Sequence, residues 1–398
     1  MQLLCWGMAL LPTALEAQRP AYAIGADISW VTEMEAGGKK FYDASGVETD
    51  LFQLLKDLGM NSIRLRVWVN PETAYGAWSD KADVVVKAKR AHALGMTVMI
   101  DFHYSDFFTD PGTQTKPVAW DGMSFTELKT AVADHTHDVL QALKDEGIEP
   151  GWVQVGNETR QGMVWSDGQL TWGSNINNEW KNYAALSNAG YDAVKEIFPE
   201  VPVIVHLNNA MNDNLWWYQA FKTGGGKFDM VGLSHYPSRD NYESEDSQAI
   251  TYIKKLQANL KVPVMIVEVG TPSDDQALAY KMMKDFYNKL KQQGIVSGMF
   301  YWEPQVYGSW KPAYYSKLGW GAYGNGAFTS AGRPGRALLL FTQAAEDYAE
   351  ANGIENMKAG NHSRTAQTGI YDLTGRQLSD LPIPPGIYIQ EGKKVVIK

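Results

Sequence analysis

The chain has 398 residues, 44% of them apolar and 20% charged, which offsets the entropy of ordering and excludes disorder for most of its length. Its net charge of -9, from 36 Lys and Arg against 45 Asp and Glu, excludes a general nucleic-acid binder, which needs clustered positive charge. The single cysteine, Cys5, excludes a disulfide scaffold and a cysteine-rich zinc site.

Residues 1–17 form an apolar stretch that closes on small residues at Ala14 and Ala17. The pattern predicts a cleaved export signal, and hence a secreted, cell-surface or periplasmic protein. No later run approaches the ~20 apolar residues a membrane-spanning helix needs, so no membrane span is expected.

From residue 24 onward one pattern recurs. Residues 51–58 carry helical apolar spacing, Gly59 stops the helix, and 61–68 read as a strand. Residues 84–94, Gly95 and 97–102 repeat it. Glycine suits a helix C-terminus because it adopts the left-handed turn without steric cost. Further strands are expected at 24–28, 152–155, 203–206, 230–234, 264–267 and 298–302. Eight apolar strands alternating with helices predict a (β/α)8 TIM barrel over 22–352. The rival, a doubly wound sheet, would carry a Gly-rich phosphate turn after its first strand, and none is present. Gly224, Gly225 and Gly226 precede a strand and read as a turn. From Asn361 the chain turns polar, and 361–398 shows short strand signals without a helix. This predicts a small all-β module.

Active sites of such barrels lie at the C-terminal strand ends. Strand two ends at Arg64, Arg66 and Trp68. Strand three leads into Asp101, His103, Tyr104, Ser105 and Asp106. Strand four leads into Asn157 and Glu158, strand six into His235 and Tyr236, strand seven into Glu268, and strand eight into Trp302 and Glu303. Glu158 and Glu268, three β/α units apart, are expected to face each other across the barrel mouth. Two opposed carboxyls are what glycosidic hydrolysis requires, one protonated to donate to the leaving oxygen and one ionised to attack the anomeric carbon. Arg64 or Arg66 is expected to hold Glu268 ionised, Tyr236 to donate to it, and Asn157 to bond a sugar hydroxyl. Of Trp30, Trp68, Trp120, Trp165, Trp172, Trp302, Trp310 and Trp320, about half are expected to be stacking platforms and half core. Trp216 and Trp217 are expected to pack. His135 and His137 point to different faces of a helix and make no metal site.

Several segments resemble glycoside hydrolase family 53, the endo-β-1,4-galactanases. Residues 59–68 resemble its second strand. Asp101, Phe102, His103, Tyr104, Ser105 and Asp106, followed by Asp110, Pro111, Gly112, Gln114, Pro117 and Trp120, resemble its third-strand loop. Residues 154–159 with Gly162 and Trp165 are similar to its acid/base segment, 267–270 to its nucleophile segment, and 301–304 to its eighth strand. The resemblance implies a retaining, endo-acting enzyme on the β-1,4-galactan side chains of pectin. It implies Glu158 as acid/base and Glu268 as nucleophile. Arg64 and Asn157 take supporting roles, with His103, Asp106, Trp120, His235, Tyr236 and Trp302 near the sugar. His235 departs from the family, where a tyrosine is commoner. The short segment after strand seven lacks the long loop that holds calcium in some members, so no metal and no cofactor are expected. A mannanase or glucanase on the same barrel is the nearest alternative, and a non-catalytic carbohydrate binder the alternative of another class. The tail, with Tyr371, Asp372, Leu373, Thr374, Gly375 and Arg376 and then 386–389, resembles a C-terminal secretion-sorting module. A monomer is expected.

Overall fold

The computed structural model describes residues 19–71, 78–171 and 176–351, and in the tail the strand segments 370–371, 377–378, 386–390 and 393–397. Residues 1–17, expected to be an export signal, Trp172 and the tail motif at 372–376 lie outside the described residues.

Eight parallel strands close into a barrel: β1 (Ala23–Asp27), β2 (Ser62–Val67), β3 (Thr97–Phe102), β4 (Trp152–Val155), β5 (Val203–Leu207), β6 (Met230–His235), β7 (Val264–Val269) and β8 (Gly298–Trp302). The ring runs in chain order, with β8 returning to pair β1. The expected strands are all present, and β7 runs past its expected end to include Glu268. The helix-stopping glycines act as the pattern predicts, Gly59 at φ 91° and Gly95 at φ 65°. Four helix starts are capped by side chains. Asp50, Asp80 and Asp275 accept backbone N–H bonds at the heads of Leu51–Asp57, Lys81–Ala93 and Gln276–Gln293, and Ser124 with Glu127 forms a reciprocal capping box at Phe125–Asp145. Each cap contributes about 1 kcal/mol.

Alternate residues of each strand point into the barrel. The lower interior is an apolar plug of Ala23, Met99, Trp152, Ile204, Met230, Met265, Val267 and Phe300. Phe300 fits because Gly25 has no side chain; a Cβ there would sit 2.5 Å from its ring. Trp152 packs edge-on against Phe300 with ring centroids 6.2 Å apart. Truncating a plug residue such as Trp152 to Ala should cost about 3–5 kcal/mol. One step nearer the strand C-termini the inward positions turn polar: Asp27, Arg64, Asp101, Gln154 and His206 are all buried. The plug is therefore the dry floor on which a charged layer stands.

The chain divides into two compact units, Met1–Met357 and Lys358–Lys398. The second contains a four-stranded antiparallel sheet made by Ile370–Tyr371, Gln377–Leu378, Gly386–Gln390 and Lys393–Ile397.

Candidate active site

Glu158 follows β4 in a tight turn. Gly156 takes φ 82° and Glu158 itself φ 47°, a left-handed conformation that non-glycine residues seldom adopt. Thr159 secures the turn, its hydroxyl meeting Tyr183 Oη at 2.7 Å and the His206 carbonyl at 3.3 Å. Glu158 Oε1 accepts a 2.6 Å bond from Ser234 Oγ on β6.

Glu268 reaches the same space by another route. The β6–β7 register runs Leu233 to Ile266 and then Ser234 to Glu268, so β7 has one extra residue at Val267. Val267 belongs to the interior plug. With strict alternation Glu268 would then face the helices; the bulge turns it inward beside Ser234. Its Oε1 lies 3.0 Å from Arg64 Nη1, and its Oε2 accepts a 3.0 Å bond from the Tyr236 hydroxyl.

Arg64 is the hub of the charged layer. Besides Glu268, its Nη1 donates to Asp27 Oδ2 at 2.8 Å, and its Nη2 to Asp101 Oδ2 at 2.8 Å, Asn157 Oδ1 at 3.0 Å and Gln154 Oε1 at 3.2 Å. Three carboxylates thus surround one buried cation. Arg66, the other candidate, turns away and pairs with Glu303 at 2.5 Å.

The electrostatics follow from burial. Removal from water is the largest influence on both glutamates and pushes both up, Glu158 to about 7 and Glu268 to about 8. At Glu158 the Ser234 hydroxyl opposes the rise, and Asp110 and Asp101 add to it. At Glu268 the Arg64 charge opposes it, and the Glu158 carboxyl adds to it. Two interacting carboxyls titrate as a pair, so these values belong to the pair and not to either alone. Which one keeps the charge is decided by contact. Glu268 has a guanidinium paired with it and a phenol donating to it, whereas Glu158 has one hydroxyl. The Arg64 charge beside Glu268 favours its ionised form, and this, against the order of the two values, assigns a shared proton to Glu158. Asp101 stays ionised: burial raises it, but Arg64 and the His103 imidazole outweigh that and hold it below the usual range.

A family model described as Glycosyl hydrolase family 53 matches residues 23–380. The chain belongs to glycosyl hydrolase family 53. It is 35% identical over 369 residues to the arabinogalactan endo-beta-1,4-galactanase of Cellvibrio japonicus, covering 85% of this chain and 94% of that one. Over 345 residues it is 30% identical to the endo-beta-1,4-galactanase of Bacillus subtilis, covering 78% and 77%. Among solved structures it resembles the GH53 catalytic domain of Ignisphaera aggregans with a TM-score of 0.70 and 27% identity, covering 81% of this chain and 96% of that one. It also resembles a fungal beta-1,4-galactanase with a TM-score of 0.68 and 28% identity, covering 80% and 98%.

In this family 53 barrel the other expected site residues separate into three groups. Asn157 and Tyr236 stand with the carboxyl pair, and Trp302 ends β8. The Asn157 carboxamide is held between Arg64 and the Thr109 carbonyl, to which its Nδ2 donates at 2.7 Å. Trp302 is half-buried, packed on Trp30 at 5.2 Å and edge-on to Tyr323 at 4.7 Å.

His103, Asp106 and Trp120 support the third-strand loop. His103 Nδ1 accepts from the Thr109 amide at 3.0 Å, so its Nε2 carries the hydrogen to Asp101 Oδ2 at 3.0 Å. Both ring nitrogens are spent inside the protein. The Asp106 carboxylate accepts the amides of Asn70 and Val118, each at 2.9 Å. Trp120 is buried in the core.

His235 is a correction. It alternates with the inward residues Ser234 and Tyr236 and therefore faces outward. There it stacks on Phe286 at 4.0 Å and meets Asp246 Oδ1 at 2.6 Å. It cannot touch a sugar in the barrel mouth.

The tryptophans divide between core and surface. Trp30 and Trp68 are fully buried, Trp165 and Trp310 half-buried, and Trp320 is exposed. In the helix Leu215–Thr223, Trp217 is buried as expected, whereas Trp216 is 43% exposed. Among the described residues, no group of three or more His, Cys, Asp or Glu is arranged to hold a metal ion.

Sequence reasoning missed His206 and Ser234. His206 had a signal, a histidine at the C-terminal end of an otherwise apolar barrel strand.

Proposed function

We propose that the protein is a secreted, endo-acting β-1,4-galactanase that cleaves with retention, with Glu158 as acid/base and Glu268 as nucleophile. The observation that carries the role assignment is the unequal set of partners: the Arg64 charge and the Tyr236 hydroxyl on Glu268, the Ser234 hydroxyl alone on Glu158. Family membership and the galactanase names of the relatives support the substrate.

In the first step a Glu268 oxygen attacks the anomeric carbon and forms a glycosyl ester. The bond to the leaving sugar breaks, and Glu158 hands its proton to the departing oxygen. Ester formation removes the negative charge of Glu268, so the affinity of Glu158 for a proton falls. Glu158 then takes a proton from water, the water oxygen bonds to the anomeric carbon, and Glu268 leaves as carboxylate. Retention by this route requires the carboxyls about 5–5.5 Å apart. Tyr236 and Arg64 stabilise Glu268 before attack and again on departure. Asn157 orients the sugar hydroxyl beside the scissile bond, and Trp302 forms an apolar wall under the sugar ring. No cofactor takes part.

The test is digestion of β-1,4-galactan, β-1,4-mannan and cellulose with product sizing. Early release of mixed short oligosaccharides from galactan is expected. Preferential cleavage of mannan or cellulose would overturn the substrate, and binding without cleavage would overturn the enzyme reading.

A further inference from the structure

Glu158 is tied to one imidazole at both ends. Its backbone amide lies 3.3 Å from His206 Nδ1. Its Oε1 is bonded to Ser234 Oγ, which lies 2.8 Å from His206 Nε2. The contacts close a ring: Glu158 amide, His206, Ser234, Glu158 carboxyl.

The hydrogens can be assigned. Gln154 Oε1 accepts from Arg64 and its Nε2 donates to Asp101 Oδ1 at 2.5 Å, which fixes the orientation of that amide. His206 Nδ1 therefore faces two donors, Gln154 Nε2 at 3.0 Å and the Glu158 amide. The acceptor beside it, Asn157 Oδ1 at 3.0 Å, already receives Arg64. Nδ1 is thus the acceptor and Nε2 carries the hydrogen. Nε2–H donates to Ser234 Oγ, and the Ser234 hydrogen is left to point at Glu158 Oε1.

We propose that His206 and Ser234 are positioning residues for Glu158, a hydrogen-bond relay that commits Oε1 to the protein and presents Oε2 for proton transfer. The inference rests on the acid/base reading of Glu158 given above. A hydroxyl donor suits both states of the residue. It donates to the carbonyl oxygen of the acid and, more strongly, to the carboxylate. It therefore steadies Glu158 while favouring release of the proton. Burial and the Arg64 charge hold His206 well below its usual range, so the relay starts from a neutral imidazole and adds no cation. Ser234 is also the register partner of Glu268, which places the relay beside both carboxyls.

The charged and titratable groups around the relay come from several strands. Arg64, Asp101, Asp110, Tyr236 and Glu268 act on Glu158; Arg64, Asp101 and His103 act on His206. None is removed by a change at Ser234.

The experiment compares S234A, H206N and the double variant with wild type on galactan and on a dinitrophenyl β-galactobioside, whose leaving group departs without a proton. S234A should lower kcat/KM on galactan about five- to tenfold. The loss on galactan should exceed the loss on the aryl substrate at least threefold. The alkaline limb of kcat/KM on galactan should move up by about half a pH unit, because a donor to the carboxylate is gone. The double variant should lose no more than the worse single variant, since both cut one chain. Equal losses on the two substrates, or an unmoved limb, would overturn the relay. S234A carries this test even if H206N fails to fold. E158Q is run alongside. A fully active E158Q would sink the acid/base reading itself, whereas an inactive E158Q beside a wild-type-like S234A would sink only the relay.

Discussion

Arg64 Nη1 lies 3.0 Å from Glu268 Oε1 while donating to Asp27 Oδ2 at 2.8 Å, so a single nitrogen links the proposed nucleophile to the charged layer above the apolar plug. Lysine cannot reproduce this grip, because its compact ammonium cannot reach Asp27, Asp101 and Glu268 in a fixed fork. R64K should lower kcat by about two orders of magnitude. In R64M the cation is lost, which raises the proton affinity of Glu268, so the acid limb of kcat/KM should move to higher pH. R64M leaves buried carboxylates uncompensated and should cost about 3–5 kcal/mol in chemical denaturation. An R64M enzyme with an unchanged acid limb would refute the electrostatic role of Arg64.

Replacing Glu268 by Gln keeps the shape and removes the attacking oxygen. Turnover of galactan should fall by about 10⁴-fold or more. Calorimetric titration with a galacto-oligosaccharide should still show binding within a few-fold of wild type. Substantial residual hydrolysis by this variant would remove Glu268 from the nucleophile role.

The pH profile of kcat/KM should be a bell whose two limbs belong to the carboxyl pair. Activity requires one proton on the pair. Burial raises both groups, to about 7 and about 8, so the alkaline limb should lie near neutrality and not in the ordinary carboxyl range. An alkaline limb near pH 5 would show that water reaches the pair more freely than the burial of Glu268 implies.

Outside the mouth, Asp246 sits beside His235 and near Asp285. Its Oδ2 and the His235 Nδ1 are buried without partners among the described residues. Burial and then the Asp285 carboxylate raise Asp246 to about 9. A raised acid stabilises the fold fully below its unfolded value, near 4, and that contribution is lost as pH rises through about 9. His235, lowered by burial to about 3, contributes in the opposite sense: its stability is present above about 6.5 and lost as pH falls toward 3. D246N is neutral at every pH. It should be more stable than wild type at pH 8 by about 1 kcal/mol, and the advantage should shrink at pH 5. Denaturation midpoints at the two pH values decide this, and an equal slope in both proteins would contradict it.

Trp320 is 44% exposed and meets Tyr315 at 5.2 Å and Phe107 at 6.0 Å. This ring is expected to stack on sugar, equally in ground and transition states. W320A should therefore raise KM about three- to tenfold with kcat nearly unchanged. Unchanged KM on long galactan would exclude Trp320 from the binding groove.

What the sequence by itself determined was local. Helical spacing broken at Gly59 and Gly95, each followed by an apolar run, is read within a dozen residues, and eight such runs suffice for the barrel. Glu158 was legible because it directly follows a short apolar strand. The side each strand-end residue faces was decided by the tertiary structure. Side-chain direction alternates every residue along a strand, so one inserted residue inverts it. The extra residue at Val267 turned Glu268 inward, and the unbroken alternation of β6 sent His235 out to Phe286 and Asp246. Likewise Arg64 and Arg66 share one strand and one parity. Their different partners, Glu268 and Glu303, come from strands that meet them only once the ring closes.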